Sequence, residues 1–543
     1  SGLDVDADST VSSLSVANTT PVSIASGKTL SGAITVTAGS VKLDEAGTLA
    51  STVSMSGGTL DADESMTVSG ALSHTADITI DVASGKTLTY SGTSISLGAY
   101  TLTLSGGGTL VSGGLELNNA SSKLLLGSIT VDSVSTSLAS LGLDVDNNST
   151  VSSLTVAHTT PVSIASGKTL SGAITVTAGS INLDETGTLG STLSMSGGTL
   201  DADNSSTVSG ALSHTADITI DVASGKTLTY SGAALSLGAY TLTLSGGGNL
   251  VSGGLDLNNA SSKLLLDSIT VDSVSTSLDS LGLDVDANST VSSLTVAHTT
   301  PVSIASGKTL SGAITVTAGS IKLDETGTLG ATVSMSGGTL DADETLTVSG
   351  ALSQAGAITI DVASGKTLTY SGAALNLGAN TLTMSGGGTL SNTYVLGLNN
   401  ASSKLLLNSI SVARVSTSLA SLGLDVDADS TVSSLSVGHI TPVSIASGKT
   451  LSGAVTVTAG SVKLDEAGTL ASTVSMSGGT LDADETLTVS GALSQSGAIT
   501  IDVAEDKTLT YSGAAVNLGA YTLTMSGGGT LSNANALILN NAY

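Results

Sequence analysis

Residues 21–40, PVSIASGKTLSGAITVTAGS, carry the pattern that decides the fold. Apolar and hydroxyl side chains alternate along three short segments, and small residues that favour tight corners separate these segments. Glycine supplies the positive φ angles that such corners require. The segments are residues 21–25, 29–31 and 33–37, and the corners are residues 26–28 and 38–40. The alternation predicts strands with Val, Leu and Ile on one face and Ser and Thr on the other.

This pattern recurs along the chain at a long and a short period. The phrase LDVDADST at residue 3 returns with small changes at residues 143, 283 and 424, so the long period is 140 or 141 residues. Within the first long period, turn signals mark seven similar pieces of 18 to 23 residues. We therefore predict one continuous rod of four solenoid repeats, the last of them incomplete. The repeats are residues 1–140, 141–280, 281–421 and 422–543.

A single piece of about 20 residues cannot bury its apolar face alone, whereas a stack of such pieces can. The sequence thus predicts an all-β fold, a parallel β-helix (β-solenoid) with about three short strands in each coil and seven coils in each 140-residue repeat. At about 4.8 Å per coil, roughly 27 coils would form a rod of about 130 Å. Antiparallel hairpins would favour Asn-Gly or Asp-Gly turns, and the sequence contains neither dipeptide. Tandem β-sandwiches remain the alternative.

Composition narrows the classes of partner. The 543 residues include no cysteine, tryptophan or phenylalanine, and 43 acidic against 15 basic residues give a net charge of −28. A chain this acidic lacks the clustered cations that bind nucleic acid or anionic membrane surfaces. No apolar run approaches the roughly 20 residues that span a bilayer, so no membrane insertion is expected. Disorder is disfavoured, because 40% of the residues are hydrophobic.

Two recurring phrases suggest a family resemblance. SGGTL at residues 56–60 and TLTLSGGGTL at residues 101–110 resemble the strand repeats of autotransporter passenger regions and filamentous-haemagglutinin-like adhesins, which are large repetitive bacterial surface proteins. The resemblance extends over essentially the whole chain. It implies a parallel β-helical stalk that is extracellular or on the cell surface. It assigns no catalytic or binding residue, because the shared phrases are structural.

Acidic clusters are the strongest candidates for a binding site. Asp4, Asp6 and Asp8 are spaced two residues apart, which on a strand places them on one face, and Asp61 and Asp63 form a second set. Oxygen-rich strips are the ligands that Ca²⁺ takes in proteins, so we predict a divalent-ion strip with weakly bound Ca²⁺ and no other cofactor. The alternative is solvated charge on the outer face that keeps the protein soluble. The Gly and Glu of an EF-hand loop are missing.

Other polar residues predict structural roles and no enzyme activity. His74 is replaced by Gln354 in a later repeat, which indicates a corner residue that need not titrate. Lysines of the ASGKT corners, such as Lys86, lack the first glycine of a phosphate-binding loop and are expected beside carboxylates of an adjacent coil. No serine occurs in a G-x-S-x-G elbow, and the only arginine is Arg414.

The sequence therefore favours a structural extracellular fibre or surface filament. We expect the stacked coils to self-associate end to end or to continue into further repeats, because an open solenoid end exposes unpaired strands. The alternative function is the stalk of a cell-surface adhesin, whose tip outside this segment would bind cell-surface or glycan ligands.

Overall fold

The computed structural model describes residues 2–539, which form β-strands and no helix. The all-β prediction is confirmed for this part of the chain. The strands of the first repeat are β1 Leu3–Val5, β2 Ser9–Val16, β3 Thr20–Ile24, β4 Thr29–Val36, β5 Ser40–Leu43, β6 Thr48–Leu49, β7 Thr52–Met55, β8 Thr59–Ala62, β9 Met66–Val68, β10 Leu72–His74, β11 Ile78–Val82, β12 Thr87–Tyr90, β13 Ile95–Ser96, β14 Thr101–Ser105, β15 Thr109–Val111, β16 Leu115–Leu117, β17 Lys123–Gly127 and β18 Thr130–Thr136. The later copies repeat this order with small changes in strand length.

Each strand pairs in parallel with a strand about one coil further along the chain. Val22 of β3 lies opposite Leu3 of β1 on one side and Leu43 of β5 on the other. The same parallel register joins β5 to β8, β8 to β11, β11 to β14 and β14 to β17. This confirms the predicted parallel β-solenoid of coils of about 20 residues. The alternative of tandem β-sandwiches is wrong, because those domains are built from antiparallel sheets.

A coil has three sides. The first side is formed by β1, β3, β5, β8, β11, β14 and β17. In the middle of the repeat, two separate strands such as β6 and β7 form the second and third sides of a coil. In other coils one longer strand forms both sides, as β2, β4 and β18 do. Residues 29–31 and 33–37 were predicted as two strands, and the structure instead joins most of them in β4.

Gly32 allows β4 to bend from the second side of the coil to the third without interrupting the strand. Gly32 has a φ of 120°, and the pairing register between β2 and β4 shifts between Val11 and Leu14. A Cβ at position 32 would overlap the carbonyl oxygen of Val11 on the neighbouring coil. The extra residue of this bulge is on β2, and β4 needs a residue with no side chain where it passes Val11. The predicted corners around Gly27 and Gly39 are present as turns with positive φ.

The core is a column of aliphatic side chains inside the coils. In the second coil Val22, Ile24, Leu30, Ile34 and Val36 are each at most 1% exposed. Neighbouring coils present the same kind of residue at the paired positions, so each layer packs on a matching one. Burying one such side chain stabilises the fold by about 1.5–3 kcal/mol. The hydroxyl residues between them point outward, as the alternation predicted.

One buried tyrosine in each copy joins two coils. The hydroxyl of Tyr90 accepts a hydrogen bond from the amide of Leu72, 18 residues earlier, at 3.2 Å. Tyr230, Tyr370 and Tyr511 make the same bond at 3.0–3.1 Å. All four rings are at most 7% exposed. The sequence alone does not predict this contact, because it depends on the register between coils.

The chain divides into two compact units. Unit 1 comprises Ser1–Asp256 and Lys263–Asp272, and unit 2 comprises Leu257–Ser262 and Ser273–Tyr543. In unit 1, Leu170 lies opposite Leu189 on the next coil. In unit 2, Leu310 and Leu329 make the corresponding pair. Each unit is therefore built from the same parallel coils.

Candidate functional site

The second predicted acidic set lies on the outer surface of the first side. Asp61 is an outward residue of β8, and Asp63 follows in the bend after this strand. Lys42 of β5 lies opposite Asp61 on the preceding coil, with its Nζ atom 3.9 Å from the Asp61 carboxylate. The same ammonium group donates a hydrogen bond to Asp63. The structure thus brings Asp61 and Asp63 together around a lysine.

A further carboxylate extends this column. Asp81 of β11 lies opposite Asp61 on the following coil and accepts a hydrogen bond from the hydroxyl of Ser105. Partial burial raises the pKa of Asp61, the charges of Asp63 and Asp81 raise it further, and Lys42 opposes them. The hydrogen bond to Asp63 raises the pKa of Lys42. Lys42 thereby neutralises part of a carboxylate column that would otherwise repel itself.

Other copies show what this lysine does. Lys322 and Lys463 occupy the position of Lys42 and pair with Asp343 and Asp484. In the second copy the position is Asn182, whose Nδ2 atom donates to Asp201 at 3.0 Å. Burial, Asp203 and Asp221 together raise the pKa of Asp201 to about 6. The second copy therefore contains a carboxylate column without its neutralising cation.

The first predicted acidic set does not form a single strip on one strand. Only Asp4 lies in β1; Asp6 is in the bend that follows, and Asp8 comes after this bend, directly before β2. The Oδ1 atom of Asp8 accepts a hydrogen bond from the amide of Thr29 on the next coil at 2.9 Å. The equivalent residues Asn148, Asn288 and Asp429 accept the same bond from Thr169, Thr309 and Thr450 at 2.8–2.9 Å. An acceptor oxygen is common to all four copies, whereas the negative charge is not.

The equivalents of Asp4 pair with lysine. Asp144 lies 2.5 Å from the Nζ atom of Lys123, and Asp425 pairs in the same way with Lys404. Within residues 2–539, no group of three or more His, Cys, Asp or Glu side chains is arranged to hold a metal ion. Weak Ca²⁺ binding by these aspartates stays a prediction.

Corner lysines and histidines have the contacts of structural residues. Lys86, Lys366 and Lys507 lie 2.6 Å from Glu64, Glu344 and Glu485 on the preceding coil. Among the ASGKT lysines this confirms the predicted pairing with a carboxylate for Lys86 and Lys366, and such exposed pairs contribute under about 1 kcal/mol each. Lys226 donates instead to the amide oxygen of Asn204. The ring nitrogens of His74 lie 3.1 Å from the carbonyl oxygen of Ala76 and 3.0 Å from that of Ser96. Gln354, which replaces this histidine in the third copy, also reaches the next coil, where it donates to the carbonyl oxygen of Leu377.

The fold defines the chain as a parallel β-solenoid with an aliphatic core and an acidic outer surface. Comparisons with protein-family models, curated proteins and solved structures found no match. A search of the described residues for a helix that could cross a membrane also found none.

Proposed function

We propose that the chain is a structural component of an extracellular fibre or surface filament, with no catalytic role. The observation that supports this most is the regular parallel stacking of coils, each closed by short corners. Only four residues separate β3 from β4, and three separate β4 from β5. Corners this short leave little chain from which to build the long loops of a substrate groove.

Stacked coils suit a structural role. Each coil forms hydrogen bonds with the coils before and after it, so its stability depends mainly on its own packing and on its nearest neighbours. The acidic surface complements this role, because a net charge of −28 opposes lateral aggregation of exposed strands.

The fibre would lengthen by adding coils at an open end. In the last described coil, Met525 is 50% exposed and Leu537 is 37% exposed, although the equivalent positions in earlier coils are buried. Further coils, from additional repeats or from a second copy, would cover these side chains and pair with the free strand edges. End-to-end self-association is the partner contact that we propose.

The stalk of a cell-surface adhesin is the second candidate. One corner in the third copy exposes an aromatic and a cationic side chain, Tyr394 and Arg414, unlike the corresponding corners of the first two copies. A surface that binds a ligand along the shaft, or at a tip outside this segment, would use the same solenoid as a spacer.

Electron microscopy of the purified chain at increasing concentration tests the fibre. We expect straight rods whose lengths are multiples of about 130 Å, from roughly 27 coils at about 4.8 Å each. Leu537→Lys should keep the rods at single length, because Leu537 occupies the inward position of the buried Leu115 and Leu396 and the substitution places a charge in the stacking surface. Leu138→Lys is the matched control, since Leu138 is 50% exposed at a corner and lies outside that surface.

Rods of one fixed length at every concentration would refute end-to-end growth. Globular particles would refute the fibre itself. Antibody labelling of intact producing cells tests the location, and labelling only after lysis would contradict a surface role.

A further inference from the structure

The third copy departs from the others at one corner of two adjacent coils. Ser112, Gly113 and Gly114 of the first copy correspond to the four residues 392–395, which read NTYV and therefore include one insertion. On the next coil, Asp132 and Ser133 are replaced by Ala413 and Arg414. These changes introduce the only arginine of the chain beside a new tyrosine.

Asn392 holds the altered corner in place. Its side chain is 3% exposed, and its Nδ2 atom donates to the carbonyl oxygens of Tyr394 at 2.6 Å and Arg414 at 2.8 Å. Its Oδ1 atom accepts a hydrogen bond from the amide of Arg414 at 3.0 Å. One buried amide therefore ties the corner to the next coil. A corner fixed in this way loses little conformational entropy when a ligand binds.

The side chains beyond Asn392 face solvent. Tyr394 is 52% exposed and Val395 is 40% exposed, and Arg414 is exposed on the adjacent coil. The Nη1 atom of Arg414 donates to the carbonyl oxygen of Thr393 at 3.3 Å, which positions the guanidinium next to the corner. Among residues 2–539, no carboxylate forms an ion pair with Arg414. Its remaining N–H groups are available to an anion.

The local charge is reversed relative to the other copies. In the first copy the amide of Ser112 donates to the carboxylate of Asp132 at 3.0 Å, and Asp272 makes the same contact with Ser252 at 3.2 Å. The third copy has Ala413 at this position and a cation at the next. A positive site on a surface of net charge −28 favours an anionic ligand over a neutral one.

The size and chemistry of the corner indicate a small carboxylate-bearing ligand. A guanidinium binds a carboxylate through two parallel hydrogen bonds, and a tyrosine ring offers an apolar face with a polar edge. Three exposed side chains cover far less than the roughly 800 Å² that each partner buries in a stable protein interface. A sugar acid matches both the guanidinium and the tyrosine ring, because it has a carboxylate and an apolar ring face that packs on aromatic rings.

We propose that Tyr394, Val395 and Arg414 form a binding site for a carboxylate-bearing sugar. Arg414 binds the carboxylate, and Tyr394 and Val395 pack against the apolar face of the sugar ring. Hydroxyls of Ser391 and Ser434, which are exposed on the two neighbouring strands, are available to the sugar hydroxyls. The site is independent of fibre growth, since it lies away from the last described coil.

Titration with sodium glucuronate, followed by saturation-transfer NMR and calorimetry on the full chain, tests the site. We expect a Kd of about 1 mM, as befits a small exposed site. Glucose, which has no carboxylate, and acetate, which has no ring, should each bind at least about tenfold more weakly, because each lacks one half of the contact.

Two variants taken from the other copies separate binding from folding. Arg414→Ser restores the residue present at positions 133 and 273, and Tyr394→Asn restores the residue at position 535 of the fourth copy. The fourth-copy corner keeps the same anchor, since Asn533 donates to the carbonyl oxygen of Asn535 at 2.7 Å. Both variants should keep the circular-dichroism spectrum and thermal midpoint of the parent, and each should weaken glucuronate binding about tenfold.

Three results would overturn the proposal. They are no glucuronate binding at the highest soluble concentration, affinity unchanged in both variants, and equal binding of acetate and glucuronate. A fourth result would assign the corner to contact between copies of this chain. It is concentration-dependent self-association in sedimentation velocity that Arg414→Ser abolishes, without specific binding of the sugar acid.

Discussion

Asp201 lies directly opposite Asp221 on the next coil, and the lysine that stands beside this column in the other copies is replaced by Asn182. The hydrogen bond from Asn182 to Asp201 supplies a donor but no charge. Asp203 follows in the bend, and Ser245 on the coil beyond donates to Asp221. The arrangement concentrates three carboxyl groups on two successive coils, and the partners of Asp201 and Asp221 are an amide and a hydroxyl.

The second copy should therefore be less stable at neutral pH than at mildly acidic pH. The folded-state pKa of Asp201 is raised to about 6, above the ordinary 3.8, so folding favours the protonated carboxyl. This contribution is fully present below about pH 4 and is lost as the pH rises through 6. With solvent screening at a partly exposed site, the loss amounts to about 1–2 kcal/mol. Hydrogen exchange of the Leu200 and Ile220 amides measures it.

Asn182→Lys is the decisive variant, because it recreates the arrangement of Lys42 in the first copy. The new ammonium group should lower the pKa of Asp201 and reduce the pH dependence of exchange between pH 4 and 7. Lys42→Asn is the reciprocal control and should raise the pKa of Asp61. An NMR titration midpoint of Asp201 that is unchanged by Asn182→Lys would show that the missing cation does not cause the shift.

The position of Asp8 should require an acceptor oxygen but no charge. Asn148 accepts a hydrogen bond from the Thr169 amide at 2.9 Å, as Asp8 does from Thr29. Asn148→Asp should leave exchange of the Thr169 amide nearly unchanged, and Asn148→Ala should accelerate it by the equivalent of about 0.5–1.5 kcal/mol. Equal exchange in the Asp and Ala variants would remove the proposed role of this oxygen.

The same amides test the predicted calcium strip. Copies with aspartate present a carboxylate near Thr29 and Thr450, whereas the other two present an amide near Thr169 and Thr309. If the aspartates serve only as hydrogen-bond acceptors, adding CaCl₂ should change exchange equally little at all four amides. Calcium-dependent protection confined to Thr29 and Thr450 would instead establish an ion at the aspartate copies.

The features predicted from the sequence are those that depend on residues close together in the chain. The alternation over Ile34 to Val36 predicted which face is buried, and the glycines at positions 27 and 39 predicted the corners. Both predictions succeed because side-chain period and positive φ are local properties of the chain. Stacking followed from the repeat itself, since a single coil cannot bury its core.

The features that were missed depend on the register between coils. Coil length varies from 18 to 23 residues, so the sequence alone does not determine which residue faces which. Two hydrogen bonds between coils belong to this class, from the Leu72 amide to Tyr90 and from the Thr29 amide to Asp8. So does the end of β1 after Val5, which leaves only Asp4 of the first acidic set in the strand. The corner at Tyr394 belongs to a segment in which the copies differ, so the pattern that the copies share does not indicate it.

Gly32, opposite the bulge in β2, should be the backbone position least tolerant of a side chain in its coil. Its φ of 120° is unfavourable for any L-residue with a side chain, and a Cβ there would overlap the carbonyl oxygen of Val11. Gly32→Ala should therefore destabilise the first two coils by about 3 kcal/mol or more, since the strain and the steric overlap add. Gly27→Ala is the matched control, because Gly27 has a φ of 72° and nothing lies within 4 Å of its added Cβ. That variant should cost only about 1 kcal/mol, the ordinary cost of a left-handed alanine. Local unfolding free energies from hydrogen exchange at Leu30 and Ile34 measure both effects, and equal losses in the two variants would contradict the role assigned to the approach between Gly32 and Val11.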